Sequence, residues 1–190
     1  MSTPLSLTRD EALAFLREHV KNENMIKHCL ASEVVLRALA RRLGADEALW
    51  GMAGLLHDVD VEVTNADMAV HGQKAVELLR GQGLPEELAQ AVRMHNEASS
   101  GAKRTETFHK ALAAGETITG LIIATTKVYP DKKLASVKPN SVVKRMKEKA
   151  FAASVNRDVI RECEGIGIPL PEFAELAVAA MREIAPELGL

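Results

Sequence analysis

The sequence has few aromatic side chains and few cysteines. Phenylalanine, tyrosine and tryptophan make up 3% of its 190 residues, with one tryptophan and one tyrosine. It therefore lacks the aromatic platform on which proteins stack single-stranded nucleic acid, and nucleic acid is an unlikely partner. Its two cysteines cannot build a disulfide framework and show no metal-type spacing. This cysteine usage fits a reducing compartment and predicts a cytoplasmic protein.

Long hydrophobic runs and a strong net charge are also missing. No apolar stretch approaches the roughly 20 residues that span a bilayer, and the N-terminus lacks the pattern of a signal peptide. We therefore expect a soluble protein that does not bind membranes. The formal net charge of −2 argues against a whole-chain polyanion binder. One segment, Lys127 to Lys149, is locally basic, with eight basic and two acidic side chains.

Helical periodicity dominates the sequence, and the alternation typical of strands is nearly absent. The pattern predicts an all-α fold, a single-domain helical bundle over residues 1–190. Thr8 and Glu11 form a capping-box pattern at the start of the first helix. Residues 96–107 are polar and predict a loop. The predicted helices cover about residues 9–20, 24–43, 46–57, 68–80, 85–95, 107–127, 140–153, 156–164 and 171–188.

Several polar side chains lie on helix faces that are otherwise apolar. Residues three, four or seven positions apart share a face, which places His28, His71, His95 and Glu116 among core-like neighbours. A histidine and an aspartate, His57 and Asp58, directly follow an apolar helix. One such histidine is usually an ordinary buried residue, but a buried carboxylate needs a partner. Convergence of four histidines and two acids therefore favours a metal site built from facing helices.

At these residues the chain resembles the HD superfamily of metal-dependent phosphohydrolases. These are all-α proteins whose ligands follow the order His, His-Asp, Asp, and dinuclear members have two further histidines before the last acid. The last family ligand is aspartate, whereas the matching helix here offers Glu116. The resemblance covers about residues 24–125, and residues 126–190 look like an extension peculiar to a subfamily. The residues that match the earlier ligand positions are His28, His57, Asp58, His71 and His95.

The resemblance implies a site for one or two divalent ions. One ion would be held by His28, His57, Asp58 and Glu116. A second would be held by His71 and His95, with Asp58 as the bridge. Mixed imidazole and carboxylate ligands suit Mn, Fe, Co, Ni or Zn better than Mg. Two such ions activate water for hydrolysis of a phosphate ester or anhydride.

Nearby polar residues are candidates for supporting roles in catalysis. Asp60 and Glu62 could orient a ligand imidazole or move a proton, although both also fit a solvated acidic loop. His109 lies two helical turns before Glu116 on the same face. It could supplement the ligands or act as a general acid.

The substrate predicted by these features is a small phosphorylated compound, such as a nucleotide, a phosphomonoester or a phosphodiester. Lysine binds phosphate as a point charge, but each lysine also fits a solvated helix face. An asparagine beside His95 is a further candidate for contacting substrate. The candidate substrate-binding residues are Lys74, Asn96, Lys127, Lys138 and Lys144.

Two other functions fit the same ligand set. Some dinuclear members of the superfamily are di-iron oxygenases, and four histidines with two carboxylates do not exclude that chemistry. A non-catalytic domain that binds metal or a nucleotide is the third reading, and the glutamate at position 116 gives it some weight. The last predicted helix could complete the bundle or pair with a second copy in a homo-oligomer.

Overall fold

The computed structural model describes residues 4–190, and within that range it is all-α, with no strand. Two short 3₁₀ segments, Leu134–Ser136 and Arg161–Ile166, join the α-helices. The all-α fold predicted from the sequence is therefore confirmed. The helices are α1 (Arg9–His19), α2 (Glu23–Leu43), α3 (Glu47–Leu56), α4 (Gln73–Gly81), α5 (Glu86–His95), α6 (Glu97–Ser100), α7 (Thr107–Lys127), α8 (Pro139–Arg145), α9 (Arg157–Ile160), α10 (Leu170–Glu183) and α11 (Ala185–Leu188).

Helix ends near the start of the chain follow from local capping chemistry. The Thr8 hydroxyl accepts from the Glu11 backbone N–H, and the Glu11 carboxylate accepts from the Thr8 backbone N–H, which completes the predicted capping box. Asn22 and Asp46 cap α2 and α3 with their side-chain oxygens. Gly44 ends α2 in the left-handed conformation, at a φ of 68°.

The two longest helices, α2 and α7, pack against each other, and α3 lies against α2. Helix α5 contacts α3, α4 and α7. Helix α10 packs on α2, α7 and α8, and its Phe173, Ala177 and Met181 are buried in the same hydrophobic core as Leu36 and Leu112. The apolar face of the C-terminal helix therefore completes the bundle within this chain.

Several predictions of where helices begin and end were wrong. The helix predicted over residues 68–80 begins only at Gln73, because the chain before it turns through left-handed backbone at Asn65, Ala66 and Gly72. The residues 96–107, predicted as a loop, contain the short helix α6. The last helix is divided in two, since Pro186 has no N–H to continue it.

The helix predicted over residues 140–153 ends at Arg145. The following segment is a series of turns, with Ala152 in the left-handed region. The Arg157 guanidinium donates to the carbonyls of Ala152, Val155 and Phe151. These bonds satisfy carbonyl groups through a side chain, so the segment folds without a helical ladder.

The two cysteines, Cys29 and Cys163, are buried and not bonded to each other. Burial raises the pKa of the Cys29 thiol well above its ordinary value and raises the pKa of Cys163 to about 12. Both thiols therefore pack as small apolar groups. Within residues 4–190, no helix combines the length and the apolar character needed to cross a membrane.

Candidate metal centre

Four histidines from four different parts of the fold point their Nε2 atoms into one centre. His28 lies on α2, His57 directly follows α3, His71 lies in the turns before α4, and His95 is the last residue of α5. The Nε2 atoms form two pairs, 3.1 Å apart for His28 and His57 and 3.0 Å apart for His71 and His95. The sequence therefore predicted correctly which histidines meet, although His71 lies in a turn and not on a helix face.

The Asp58 carboxylate lies between the two pairs of imidazoles. Its Oδ2 is 3.6 Å from His28 Nε2 and 3.4 Å from His57 Nε2. Its Oδ1 is 3.1 Å from His71 Nε2 and 3.6 Å from His95 Nε2. Each oxygen thus faces one pair, and the two candidate metal-binding groups share this residue.

The end of α3 explains how adjacent residues reach the same centre. Consecutive side chains on a continuing helix diverge by about 100°. Here the ladder ends at Leu56, and the Val59 N–H bonds to the Leu56 carbonyl only three residues back, at 3.1 Å. The tighter backbone turns His57 and Asp58 toward one point.

Each imidazole is oriented through its other nitrogen, Nδ1. His57 Nδ1 donates to the Gly54 carbonyl at 2.8 Å, and His95 Nδ1 donates to the Val92 carbonyl. His28 Nδ1 lies 3.0 Å from the Thr119 hydroxyl. This hydroxyl uses its proton to donate to the Glu116 carbonyl, so its oxygen accepts from His28 Nδ1. Such partners fix the tautomer and leave Nε2 free as a ligand.

The donor set fits divalent ions. With Nδ1 protonated, His28 and His57 direct two Nε2 lone pairs at each other across 3.1 Å, beside a carboxylate oxygen. Facing lone pairs repel unless a cation lies between them. Two imidazoles and one carboxylate oxygen on each side are ligands that first-row transition metals accept readily. The residues present therefore match a pair of metal positions that share Asp58.

The electrostatics of the centre also favour a cation. Burial alone would raise the pKa of Asp58, but the neighbouring His57 and His71 hold it well below its ordinary value. Burial lowers the pKa of His57 to about 3, so this imidazole is neutral. Burial acts in the same direction on His71, but its bonds to Asp58 and Asp60 outweigh burial and raise its pKa to about 10. A metal bound at His71 would displace that proton.

Asp60 is fully buried and holds the second pair in place. Its Oδ1 accepts from His71 Nδ1 at 2.7 Å, and its Oδ2 accepts from the backbone N–H groups of Gly72 and Ala75 at 2.8 and 2.9 Å. It thus orients a ligand imidazole and caps α4 at once. The alternative prediction, that Asp60 lies in a solvated acidic loop, was therefore wrong. Glu62, by contrast, bonds to the Lys21 and Asn22 backbone, away from the imidazoles.

Glu116 lies at the side of the first pair, with its Oε2 3.7 Å from His28 Nε2. Its Oε1 accepts from the Thr117 hydroxyl at 2.5 Å. Burial raises the pKa of this carboxyl, and the nearby His28 opposes the rise. Within the described residues, neither candidate metal-binding group includes Glu116, so its part in binding metal stays a prediction.

His109 and the predicted substrate lysines do not reach the centre. His109 lines a separate cavity with Trp50 and Glu87. Lys74 is exposed and pairs with Glu77 at 2.5 Å. Three other lysines, all exposed, belong to the end of α7 or to the segment beyond it and do not line the cavity at the centre: Lys127, Lys138 and Lys144.

Asn96 is buried beside the centre, but its amide is engaged by backbone. Its nitrogen donates to the carbonyls of Met68 and His71 at 2.9 and 3.0 Å, and its oxygen accepts from the Ala98 N–H at 3.1 Å. These bonds hold the segment that carries His71. Its geometry supports a positioning role more than direct contact with substrate.

Arg104 is a site residue that the sequence did not reveal. Its buried guanidinium pairs with Glu162 at 2.6 and 2.8 Å and donates to the carbonyls of Met94 and His95 at 3.0 and 3.1 Å. It thereby satisfies carbonyl groups at the end of α5. In the sequence it lies in a polar stretch between helices, where an arginine is normally solvated, so no local signal distinguishes it.

Comparison with known proteins agrees with this geometry. The HD domain family model matches residues 25–128, and the chain belongs to this family, most of whose members are metal-dependent hydrolases. The chain is 30% identical over 93 residues to ribonuclease Y of Deinococcus radiodurans, covering 49% of this chain and 16% of that protein. Ribonuclease Y of Thermus thermophilus is 30% identical over 92 residues, covering 48% of this chain and 15% of that protein.

A third relative, ribonuclease Y of Aquifex aeolicus, is 32% identical over 76 residues, covering 40% of this chain and 14% of that protein. The chain thus spans about one sixth of the length of these curated relatives. No solved structure matches the chain.

Replacing Asp60 with asparagine is expected to weaken metal binding at His71 and His95 by about 10- to 100-fold, the usual effect of losing an outer partner of a ligand. The amide has one acceptor oxygen, so it cannot serve both His71 and the start of α4. Metal titration by calorimetry measures the effect. The control is Glu62→Gln, which alters a carboxylate in the same segment that faces away from the imidazoles. Equal affinities in both variants would contradict the role assigned to Asp60.

Proposed function

We propose that the protein is a metal-dependent phosphohydrolase that acts on a small phosphorylated substrate. The observation that carries this proposal is the position of Asp58, whose two carboxylate oxygens lie 3.1 to 3.6 Å from four histidine Nε2 atoms in two pairs. A shared carboxylate between two sets of imidazoles is the arrangement that holds two ions side by side. Membership of the HD domain family supports the same chemistry.

The residues at the centre have separate roles. Asp58 and the four histidines would hold the ions, which lower the pKa of a bound water and polarise the phosphoryl group. The Gly54 carbonyl and Asp60 keep the imidazoles of His57 and His71 in the ligand tautomer. Glu116 Oε2, beside His28, would complete the ligands of the first ion. A cavity of about 500 Å³ opens onto Asp58, His71 and His95 and gives the substrate access.

The size of this cavity favours a small substrate. Drug-sized ligands occupy cavities of roughly 300 to 1,000 Å³, and the cavity at the centre falls within that range. The relatives named ribonuclease Y match only part of their own length here, so their substrate is not assumed for this chain.

The experiment that tests the proposal begins with elemental analysis of the purified protein. The protein, loaded with the metal found, is then offered phosphomonoesters, phosphodiesters and nucleotides, with a chelator-treated sample as the control. We expect turnover that chelation abolishes and metal restores. Two irons with oxygen consumption and no phosphate release would overturn the proposal in favour of an oxygenase. Bound metal without any turnover would indicate a non-catalytic domain.

A further inference from the structure

The cavity that opens onto the centre has almost no positive charge of its own. Arg104 is its one lysine or arginine within residues 4–190. That guanidinium is already paired with Glu162, and it lies 3.8 Å from Glu97. The carboxylates of Glu97 and Glu116 line the same cavity. Apart from the histidines of the centre, the described residues therefore offer no uncompensated cationic side chain in this cavity to bind a second or third phosphate group.

Apolar side chains form part of the cavity lining. Val61, Ala66 and Met68 come from the turns between α3 and α4, and Val159 comes from α9. The segment that contributes Met68 also exposes apolar side chains. Among the described residues, four large hydrophobic side chains are exposed, and three of them lie in this one segment: Val63, Met68 and Val70. Met68 also lines the cavity. Exposed apolar side chains beside a cavity are typical of a surface that binds an apolar group.

We propose that the substrate carries a single phosphoryl group on an apolar organic group, and that polyphosphates and RNA are poor substrates. The inference rests on the proposed function. The phosphoryl group is bound at the centre, and the organic group lies against the wall formed by Val61, Met68 and Val159. Each further phosphate would lie beside the Glu97 carboxylate, where Arg104, already paired with Glu162, is not free to offset its charge.

Two pairs of substrates test the inference, one for the apolar group and one for the number of phosphates. Hexyl phosphate and glycerol phosphate are both phosphate esters of alkyl alcohols, one apolar and one polar. AMP and ATP carry the same nucleoside with different charge. We expect kcat/KM to be at least about tenfold higher for hexyl phosphate than for glycerol phosphate, and at least about tenfold higher for AMP than for ATP. A short oligoribonucleotide should be cleaved no faster than ATP.

The outcomes separate this inference from the proposed function. If the metal-loaded protein hydrolyses ATP, glycerol phosphate or the oligoribonucleotide best, the inference fails and the hydrolase function stands. If it hydrolyses none of these compounds, both fail.

A matched pair of variants locates the preference in the cavity. Met68 and Val128 are each 54% exposed, so a lysine at either position should not disturb the fold. Met68→Lys places a cation in the lining of the cavity, and we expect it to lower the ratio of hexyl phosphate to ATP turnover by about tenfold. Val128→Lys lies outside this cavity and should leave the ratio unchanged. An unchanged ratio in Met68→Lys would overturn the inference.

Discussion

Replacing Asp58 with alanine is expected to abolish metal binding and turnover together. Its two oxygens face both pairs of imidazoles, at 3.1 to 3.6 Å, so one substitution removes a ligand from each metal position. It also leaves four imidazoles without the anion that balances bound cations. The loss of activity should exceed the about 10- to 100-fold caused by changing an outer partner. Elemental analysis and a phosphatase assay of the same sample measure both effects.

The control for this variant is Asp10→Ala. Asp10 is also an aspartate, but its side chain is 95% exposed on α1, so metal content and turnover should not change. His57→Ala should behave like Asp58→Ala, because it removes a ligand from the first pair. Circular dichroism establishes whether the variants retain their helices. Full metal content in folded Asp58→Ala and His57→Ala would show that the centre is assigned to the wrong residues.

Replacing Gly54 with alanine is expected to destabilise the protein by about 1–3 kcal/mol, the usual cost of overpacking a core. A Cβ atom at Gly54 would lie 2.7 Å from the Ser32 carbonyl oxygen and 2.9 Å from its carbon. These are backbone atoms of α2, which cannot rotate away as a side chain can. Helices α2 and α3 would therefore have to separate. Because His28 lies on α2 and His57 directly follows α3, their separation would also move these two histidines apart. Metal affinity should therefore fall together with stability.

Gly81→Ala provides the contrast. Gly81 is the last residue of α4, and an added Cβ meets nothing within 4 Å. Alanine there should stabilise the protein by about 0.4–1 kcal/mol, because it restricts the unfolded chain without a clash. Urea denaturation of both variants, with metal titration, measures the difference. Equal stability of Gly54→Ala and Gly81→Ala would contradict the close approach of α2 and α3 at Gly54.

Sequence patterns predicted the all-α fold because helix formation depends on local information, and they also singled out the four histidines that lie together in the structure. The capping box at Thr8, the stop at Gly44 and the span of α7 were predicted from neighbouring residues alone. The ligand histidines were found because polar groups on apolar faces are rare enough to be noticed, and because their order resembles a known family.

The remaining features depend on contacts between distant segments. Asp60 resembles any acid in a polar loop until α4 is placed against it, and Arg104 resembles a solvated arginine until Glu162 is placed beside it. The lysines were predicted to bind substrate because of their positive charge. Charge does not indicate on which side of the bundle the segment after α7 lies. Lys144, for example, lines a cavity with Tyr129 and Ser141, away from the centre.

The ion pair between Arg104 and Glu162 joins the ligand-bearing half of the chain to the part that the family model leaves out. The matched region stops at residue 128, whereas Glu162 lies 34 positions beyond it. A protein shortened to that boundary would keep all four histidines of the centre but would lose the carboxylate that pairs with the Arg104 guanidinium beside His95. The boundary recognised by sequence similarity is therefore not the boundary of the unit that builds the centre.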